Sequence, residues 1–312
     1  MFSLVSSLLF ACTATAAVLP SRDEPVKLAV APKCGELFGA YADINAGLNP
    51  LSYYKDIVAF GDSYTSGSVI DGSPLPPPVM SPPNPNAGGR VSNGQLWVEN
   101  LASTAGATLH DYAVNGSVVD ASQYPGSVIP NARDLVKSID YYILNGERTN
   151  PETTLYVIFV GMGDYEFRDQ LYNKDLTSVA GSVLYRIMQL NSAPTFARNF
   201  LVVDNYGRGE KTSEGEAYKQ QLFDSIGTLR SSPRYGTNVA FVDFSTLWNG
   251  ALSNPGAFGY TNTGACTLND KTTDGACADP DHTFYWIPGN PSKATHGLMA
   301  QYVEKVLNEC KA

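Results

Sequence analysis

Ser63 is the side chain whose place in the sequence most favours chemistry. It follows a short apolar run, Ile57–Phe60, that ends at Gly61 and Asp62. Such a run predicts a buried strand, and open α/β folds carry their reactive groups at the carboxyl ends of their strands. A serine hydroxyl there attacks an acyl group when a base takes its proton, a third group orients that base, and N–H donors stabilise the oxyanion. The sequence therefore places a serine hydroxyl where open α/β folds carry their chemistry.

Three histidines are available as bases. His282 follows Asp279 and Asp281, either of which could orient its ring or be an ordinary surface residue. His296 falls in a predicted C-terminal helix, and His110 precedes a predicted strand and is expected to be structural. The sequence leaves the choice between His282 and His296 open.

Strand and helix patterns alternate along the chain and position these residues. The run LYVIFV at 155–160 is apolar throughout, as a central parallel strand should be. Further strands are predicted at 109–114, 199–203 and 238–244, and helices at 92–105, 131–144, 175–190, 214–230 and 292–310. This alternation predicts one three-layer α/β/α sandwich with a mainly parallel central sheet. The Pro-, Gly- and Ser-rich stretch 72–89 predicts a surface loop near Ser63, either at the substrate entrance or as a tolerated insertion.

The stretch GDSYTSG at 61–67 resembles the first block of the GDSL family, also called the SGNH hydrolases, with Tyr64 in place of the final Leu. The likeness covers residues 51–312, and the segment GRVSNGQLW is similar to one in fungal members. It implies a flavodoxin-like sandwich and a carboxylic-ester hydrolase with Ser63 as nucleophile. It also implies that the backbone N–H groups of Ser63 and of Gly116, in the second block YAVNG, form the oxyanion hole.

The third and last blocks depart from the family pattern. The third block reads GMGD where the family has Gly-x-Asn-Asp, so Gly163 stands at the position of a side-chain oxyanion donor. The last block places Ile287 at the acid position and Asn290 at the base position of Asp-x-x-His-Pro. Asparagine can hydrogen-bond to a serine but cannot accept its proton. His282 and His296 thereby become the candidates for a stand-in base.

Composition excludes several classes of partner. Of the 312 residues, 16% are charged and the net charge is −9, which argues against nucleic acid and anionic membranes as partners. The sequence contains no CxxC and few histidines, so no metal site and no cofactor are expected. Beyond the N-terminus, no apolar stretch is long enough to span a bilayer.

The N-terminus and the cysteines predict secretion to the extracellular space. Residues 1–17 have the apolar core and small residues of a signal peptide, followed by a lead-in at 18–50 and a single SGNH-hydrolase-like domain at 51–312. Removal of the signal would leave four cysteines, which allow three disulfide connectivities. We favour Cys266–Cys277, which closes a short loop, and Cys34–Cys310, which joins the two ends. Asn115 begins the sequon Asn-Gly-Ser, expected to be unmodified in a partly buried loop.

Three functions remain compatible with these residues. The first is a secreted hydrolase of acyl or acetyl esters, with a small-molecule or polysaccharide ester as substrate. The second is a catalytically degenerate member that binds an acylated or carbohydrate ligand without turnover. Phe284, Tyr285 and Trp286 suit a platform for such a ligand, and equally a place in the core. The third is a biosynthetic acyl-transfer or cyclisation enzyme that reuses the pocket. The sequence makes no prediction of oligomeric state.

Overall fold

The structure, a computed structural model, describes residues 24–129, 134–173, 175–206 and 211–312. The strands are β1 (Ile44–Ala46), β2 (Asp56–Gly61), β3 (Thr108–Asp111), β4 (Thr154–Phe159), β5 (Asn199–Asp204), β6 (Asn238–Asp243), β7 (Asn262–Ala265), β8 (Thr283–Ile287) and β9 (Asn290–Pro291). The helices are α1 (Trp97–Ala105), α2 (Leu135–Asn145), α3 (Met162–Glu166), α4 (Leu176–Asn191), α5 (Ser213–Ser231), α6 (Phe244–Ser253), α7 (Pro255–Phe258) and α8 (Lys293–Glu309).

A six-stranded sheet in the order β1-β6-β5-β4-β2-β3 forms the centre of the fold. Strands β2 to β6 run parallel, and β1 pairs antiparallel with β6 at one edge. Gly61 is in register with Phe159, and Ile158 with Val202, so β2, β4 and β5 end at the same edge of the sheet. This edge carries the loops that follow each strand, including the loop with Ser63.

Helices cover both faces of the sheet, because the strand residues alternate between two apolar layers. Ile57 and Leu201 face the core layer beneath α1, α6 and α8. Val58 and Phe200 face the layer beneath α2, α4 and α5. The predicted three-layer α/β/α sandwich with a mainly parallel sheet is confirmed.

Three features of the fold were not predicted. The lead-in at 18–50 contains β1, so it contributes a strand to the central sheet. The strand predicted to run to residue 244 ends at Asp243, whose side chain accepts a hydrogen bond from the Ser245 N–H and caps α6. A second, three-stranded sheet of β7, β8 and β9 precedes α8. Its strands are short and irregular in register, which hides their pattern in the sequence.

Both predicted disulfides are confirmed. Cys34 is bonded to Cys310 and Cys266 to Cys277. The predicted signal peptide, residues 1–17, lies outside the described residues. No helix within the described ranges has the length and apolar character needed to cross a membrane.

Candidate active site

Ser63 lies in a tight turn directly after β2, with its side chain half-buried. The Asp62 carbonyl accepts hydrogen bonds from the N–H groups of Thr65 and Ser66, at 3.1 and 2.9 Å, and so closes the turn. Gly61 is required at the end of the strand, because a Cβ atom there would lie 2.6 Å from the Phe159 carbonyl oxygen. The turn therefore holds the serine at the carboxyl edge of the sheet, as predicted from the strand before it.

Asp111, at the end of β3, joins the first block to the second. Its Oδ2 atom accepts from the Gly67 N–H at 2.8 Å and its Oδ1 atom from the Ala113 N–H at 2.9 Å. Burial raises the pKa of this carboxyl group to about 8, while the two N–H donors act in the opposite direction. Sequence reasoning missed this residue. Its only local signal is an acidic residue just before the second block.

The second block follows β3 and lies beside the first, since the Val114 N–H donates to the Gly61 carbonyl at 3.0 Å. Gly116 is exposed and has a φ of +75°, a backbone conformation that glycine adopts without strain. Asn115 is exposed and Ser117 is buried, so the sequon opens in an exposed part of the loop rather than in a partly buried one. Its glycosylation state stays a prediction.

Gly163, in the third block, is packed against the second block. A Cβ atom at this position would lie 3.0 Å from Val118 Cγ1 and 3.2 Å from the Ser117 carbonyl oxygen. Ser117 and Val118, which follow the second block, therefore lie directly against Gly163, where the family pattern has the first atoms of an asparagine side chain. The chain lacks a side-chain oxyanion donor at this position.

Asp164 fixes the third block as a framework residue. Its carboxylate accepts from the Val119 N–H at 3.0 Å and from the Tyr124 hydroxyl at 2.8 Å. Burial raises its pKa to about 6, against the effect of these hydrogen bonds. Asp164 and the second block thus hold each other in place below Gly163.

The last block forms the β8–β9 hairpin. The Asn290 Nδ2 group donates weakly to the Pro288 carbonyl at 3.4 Å, and its buried Oδ1 atom has no hydrogen-bond partner among the described residues. Ile287 is paired with Asn290 across the hairpin and is buried. The Tyr64 hydroxyl donates to the Gly289 carbonyl at 2.5 Å and ties the hairpin to the Ser63 turn. Tyr64 thus positions the hairpin through its hydroxyl, a group that the leucine of the family motif lacks.

The aromatic residues of β8 do not form an exposed platform. Phe284 and Trp286 are buried, and the Trp286 Nε1–H donates to the Pro85 carbonyl at 2.8 Å. The Tyr285 hydroxyl accepts from the Trp248 Nε1–H at 2.9 Å. The platform interpretation of these residues is wrong. They pack the small sheet against the core and the long loop, as expected where a β-strand has no open face.

None of the hydrogen bonds that the three histidines form within the described residues involves Ser63. The His282 ring contacts the Asp279 carboxylate at 2.9 Å and donates to the Glu24 carbonyl at 2.7 Å, and these partners raise its pKa. His296 is fully buried, its Nδ1 atom accepts from the Trp97 N–H at 3.2 Å, and burial lowers its pKa to about 3. In the described structure the Ser63 hydroxyl forms no hydrogen bond with either ring.

His110 lies on β3 and contacts Asp56 at the start of β2. It is paired in register with Val58, several residues before the last residue of β2, and Ser63 follows that strand. The third histidine is therefore also separate from the serine. No hydrogen bond joins the Ser63 hydroxyl to an imidazole within the described residues.

The family model described as GDSL-like Lipase/Acylhydrolase matches residues 57–303, which is most of the chain. The chain belongs to this family. The family description names lipases and acylhydrolases, and this chain has a mixed α/β fold with a mostly parallel central sheet.

Individual relatives are distant. The chain is 22% identical over 285 residues to the thermolabile hemolysin of Vibrio parahaemolyticus, covering 82% of this chain and 64% of the hemolysin. A 76-residue stretch, 23% of the chain, is 37% identical to 21% of an acetylesterase of Hypocrea jecorina. The chain thus spans less than two thirds of the length of these curated relatives.

Two of the solved structures to which the chain is similar are carbohydrate esterases. A carbohydrate esterase family 2 enzyme of Myceliophthora fergusii, with its carbohydrate-binding domain, has a TM-score of 0.46 at 16% identity, covering 81% of this chain and 65% of that one. An acetylxylan esterase of Geobacillus stearothermophilus has a TM-score of 0.43 at 10% identity, covering 81% and 94%.

A cleft of about 390 Å³, here called the Asn290 cleft, adjoins the second and last blocks of this GDSL-like lipase/acylhydrolase chain. The lining residues are Val91, Asn115, Leu268, Asn269, Asp270, Ile287, Pro288 and Asn290. Its polar lining consists of three amide side chains and one carboxylate. Such groups hydrogen-bond to hydroxyl and carbonyl groups of a ligand.

The Cys266–Cys277 disulfide loop supplies one wall of this cleft, which sequence reasoning did not anticipate. The Thr267 hydroxyl hydrogen-bonds to the carbonyls of Asn269 and Trp286, at 3.0 and 3.1 Å, and fixes the start of the loop on β8. Asp270 is exposed and is the single ionisable residue among the described lining residues. No group of three or more His, Cys, Asp or Glu side chains in the described ranges could hold a metal ion.

Proposed function

We propose that the chain binds acyl or acetyl esters of a small molecule or a polysaccharide in the Asn290 cleft, with little or no hydrolysis at Ser63. It would then be a catalytically degenerate member of its family. The observation that carries this proposal is that none of the hydrogen bonds that the three histidines form within the described residues involves Ser63. Without a base the serine hydroxyl remains a weak nucleophile.

The expected rate of ester hydrolysis follows from the loss of the base. Enzymes that lose a triad member keep roughly 10³–10⁴-fold acceleration over water, supplied by the oxyanion hole and by binding. This chain also lacks the family's side-chain oxyanion donor at Gly163, which costs a further factor of about 10²–10³ in typical enzymes. We therefore expect slow turnover that depends only weakly on Ser63.

We also propose that the protein is secreted. The two disulfides, one between the ends of the fold and one beside the cleft, support this proposal, because such bonds persist in oxidising compartments. An extracellular location would give the cleft access to polysaccharide esters.

Hydrolysis of p-nitrophenyl acetate and butyrate tests the catalytic part. We expect the wild type to exceed Ser63→Ala by less than about tenfold, and the Ile287→Asp, Asn290→His double variant to gain roughly 10²-fold or more, the usual range for a positioned general base. Fast wild-type turnover that Ser63→Ala abolishes would refute the degenerate assignment.

Ligand binding tests the cleft separately. The Ser63→Ala variant is titrated calorimetrically with an acetylated xylo-oligosaccharide, and Asp270→Asn is added to remove the charge that lines the cleft. Asp274→Asn is the matched control, because Asp274 is exposed on the same loop and is not among the lining residues. We expect Asp270→Asn to weaken binding about tenfold, as for hydrogen bonds to a charged group. Equal affinities of the two variants would contradict binding in this cleft.

A further inference from the structure

A second cleft, of about 420 Å³, lies beside the edge strand β3 and is lined by no residue of the four family blocks. It is here called the His110 cleft. The loop at 72–75 forms one wall, α1 forms another, and residues 107–110 and Glu147 complete the lining. The Gly72 N–H donates to the Asp111 carbonyl at 3.2 Å and fixes the loop against the end of β3.

His110 forms the polar side of this cleft. Its ring is only 6% exposed, and its Nε2 atom lies 3.1 Å from Asp56 Oδ1. A carboxylate only accepts hydrogen bonds, so a neutral His110 donates its Nε2–H to Asp56 and keeps a lone pair at Nδ1. The ring is thereby oriented, with an acceptor atom on the side of Glu147.

Glu147 presents a second hydrogen-bond acceptor close to His110 Nδ1. Its Oε2 atom lies 3.9 Å from His110 Nδ1, and its side chain is 77% exposed. With the ring neutral, both atoms are acceptors, and this separation is too long for a direct hydrogen bond. A nitrogen with two N–H groups fits between them at normal hydrogen-bond lengths from each. The pair therefore matches a cationic donor.

The remaining walls combine apolar surface with the polar side chains of Ser73, Gln95, Ser103 and Thr108. Pro74 and Leu75 come from the loop, Ala102 from α1, and Leu109 from β3. Glu99 also lines the cleft, but its two carboxylate oxygens bind the buried Arg90 guanidinium. Glu147 is thus the carboxylate that remains available for a ligand in this cleft.

We infer that the His110 cleft binds a primary ammonium group carried on an apolar chain. The ammonium donates to His110 Nδ1 and to the Glu147 carboxylate, and the chain packs on Leu75 and Leu109. This site is independent of the ester site, because it shares no lining residue with the Asn290 cleft.

Calorimetric titration at pH 8 with hexylammonium, 1-hexanol and hexanoate tests the inference. We expect hexylammonium to bind best, and its affinity to rise roughly threefold to fourfold for each methylene added to the chain. Glu147→Gln should weaken hexylammonium two- to fivefold, the range for an exposed ion pair, and should leave 1-hexanol unchanged. Glu152→Gln removes an exposed charge outside the cleft and should change neither affinity.

Asp56→Leu provides a second variant, because it removes the acceptor that orients His110. It should weaken hexylammonium more than 1-hexanol, and Ser63→Ala should have no effect on either. Equal affinities for hexylammonium and 1-hexanol, a preference for hexanoate, or equal effects of Glu147→Gln and Glu152→Gln would overturn the inference.

Discussion

Ile287→Asp places a carboxyl group at the acid position of the family pattern, in a part of this chain that is packed as apolar core. Ile287 is 3% exposed and lies in a cluster with Val91, Cys266 and Trp286. Loss of a buried isoleucine side chain costs about 1.5–3 kcal/mol of burial. A carboxyl group left there without a partner costs about 1–3 kcal/mol more. We therefore expect the free energy of unfolding to fall by about 4 kcal/mol.

Urea denaturation followed by tryptophan fluorescence measures this change. Ile287→Val is the matched control, because it keeps the apolar shape and should lose only about 1 kcal/mol. For a chain of this size, a loss of about 4 kcal/mol corresponds to a fall in Tm of roughly 10 °C. An Ile287→Asp variant as stable as Ile287→Val would refute the assignment of Ile287 to the core.

Asn290→His in the same chain adds a partner for the new carboxylate. The two positions are paired across the β8–β9 hairpin, so their side chains are neighbours. A charged hydrogen bond between them should recover about 1.5–3 kcal/mol of the loss. A double-mutant cycle without any such coupling would show that the hairpin does not bring the two side chains together.

Three further results are expected. Tyr64→Phe removes the hydroxyl that donates to Gly289, and should lower stability by about 1 kcal/mol in urea denaturation; unchanged stability would argue against this tie. Lys219→Met removes the buried cation whose Nζ atom lies 2.5 Å from the Asp243 carboxylate. The free energy of unfolding should fall by about 3–5 kcal/mol, and a variant as stable as the wild type would contradict the ion pair. Burial raises the pKa of Asp43 from 3.8 to about 6. The stability that the protonated carboxyl group contributes is therefore fully present below pH 3.8, and it is lost as the pH rises through 6. Unfolding measured between pH 4 and 7 should show this fall in the wild type and a shallower one in Asp43→Asn, and identical profiles would count against it.

The parallel strands and long helices could be predicted because their patterns are local. The LYVIFV run of β4 is buried along its whole length, and the final helix begins after Ser292, whose hydroxyl accepts from the Thr295 N–H. Strand β1 could not be predicted, since its middle residue is Asn45. The Asn45 side chain donates to the Leu307 carbonyl, far along the chain, and so is buried at little cost.

The site residues also divide into those that the sequence could place and those that it could not. Ser63 and Gly116 stand in local motifs, so the sequence was sufficient to place them at the ends of strands. The roles of Asp111 and Asp270 depend on segments distant in sequence. Asp111 braces two loops through their backbone N–H groups, and Asp270 reaches the cleft only because its disulfide loop is fixed on β8. No spacing rule in a single sequence encodes such contacts.

The close approach at Gly163 has a consequence for the order in which substitutions can be accumulated. An asparagine introduced there first would have to displace Val118. An imidazole at position 290 meets no such obstacle, because Asn290 borders an open cleft. Directed evolution towards faster hydrolysis should therefore fix a change at 290 early, and a change at 163 only after the 117–118 backbone has shifted. Packing, as well as chemistry, therefore limits the order in which substitutions that raise activity can be fixed.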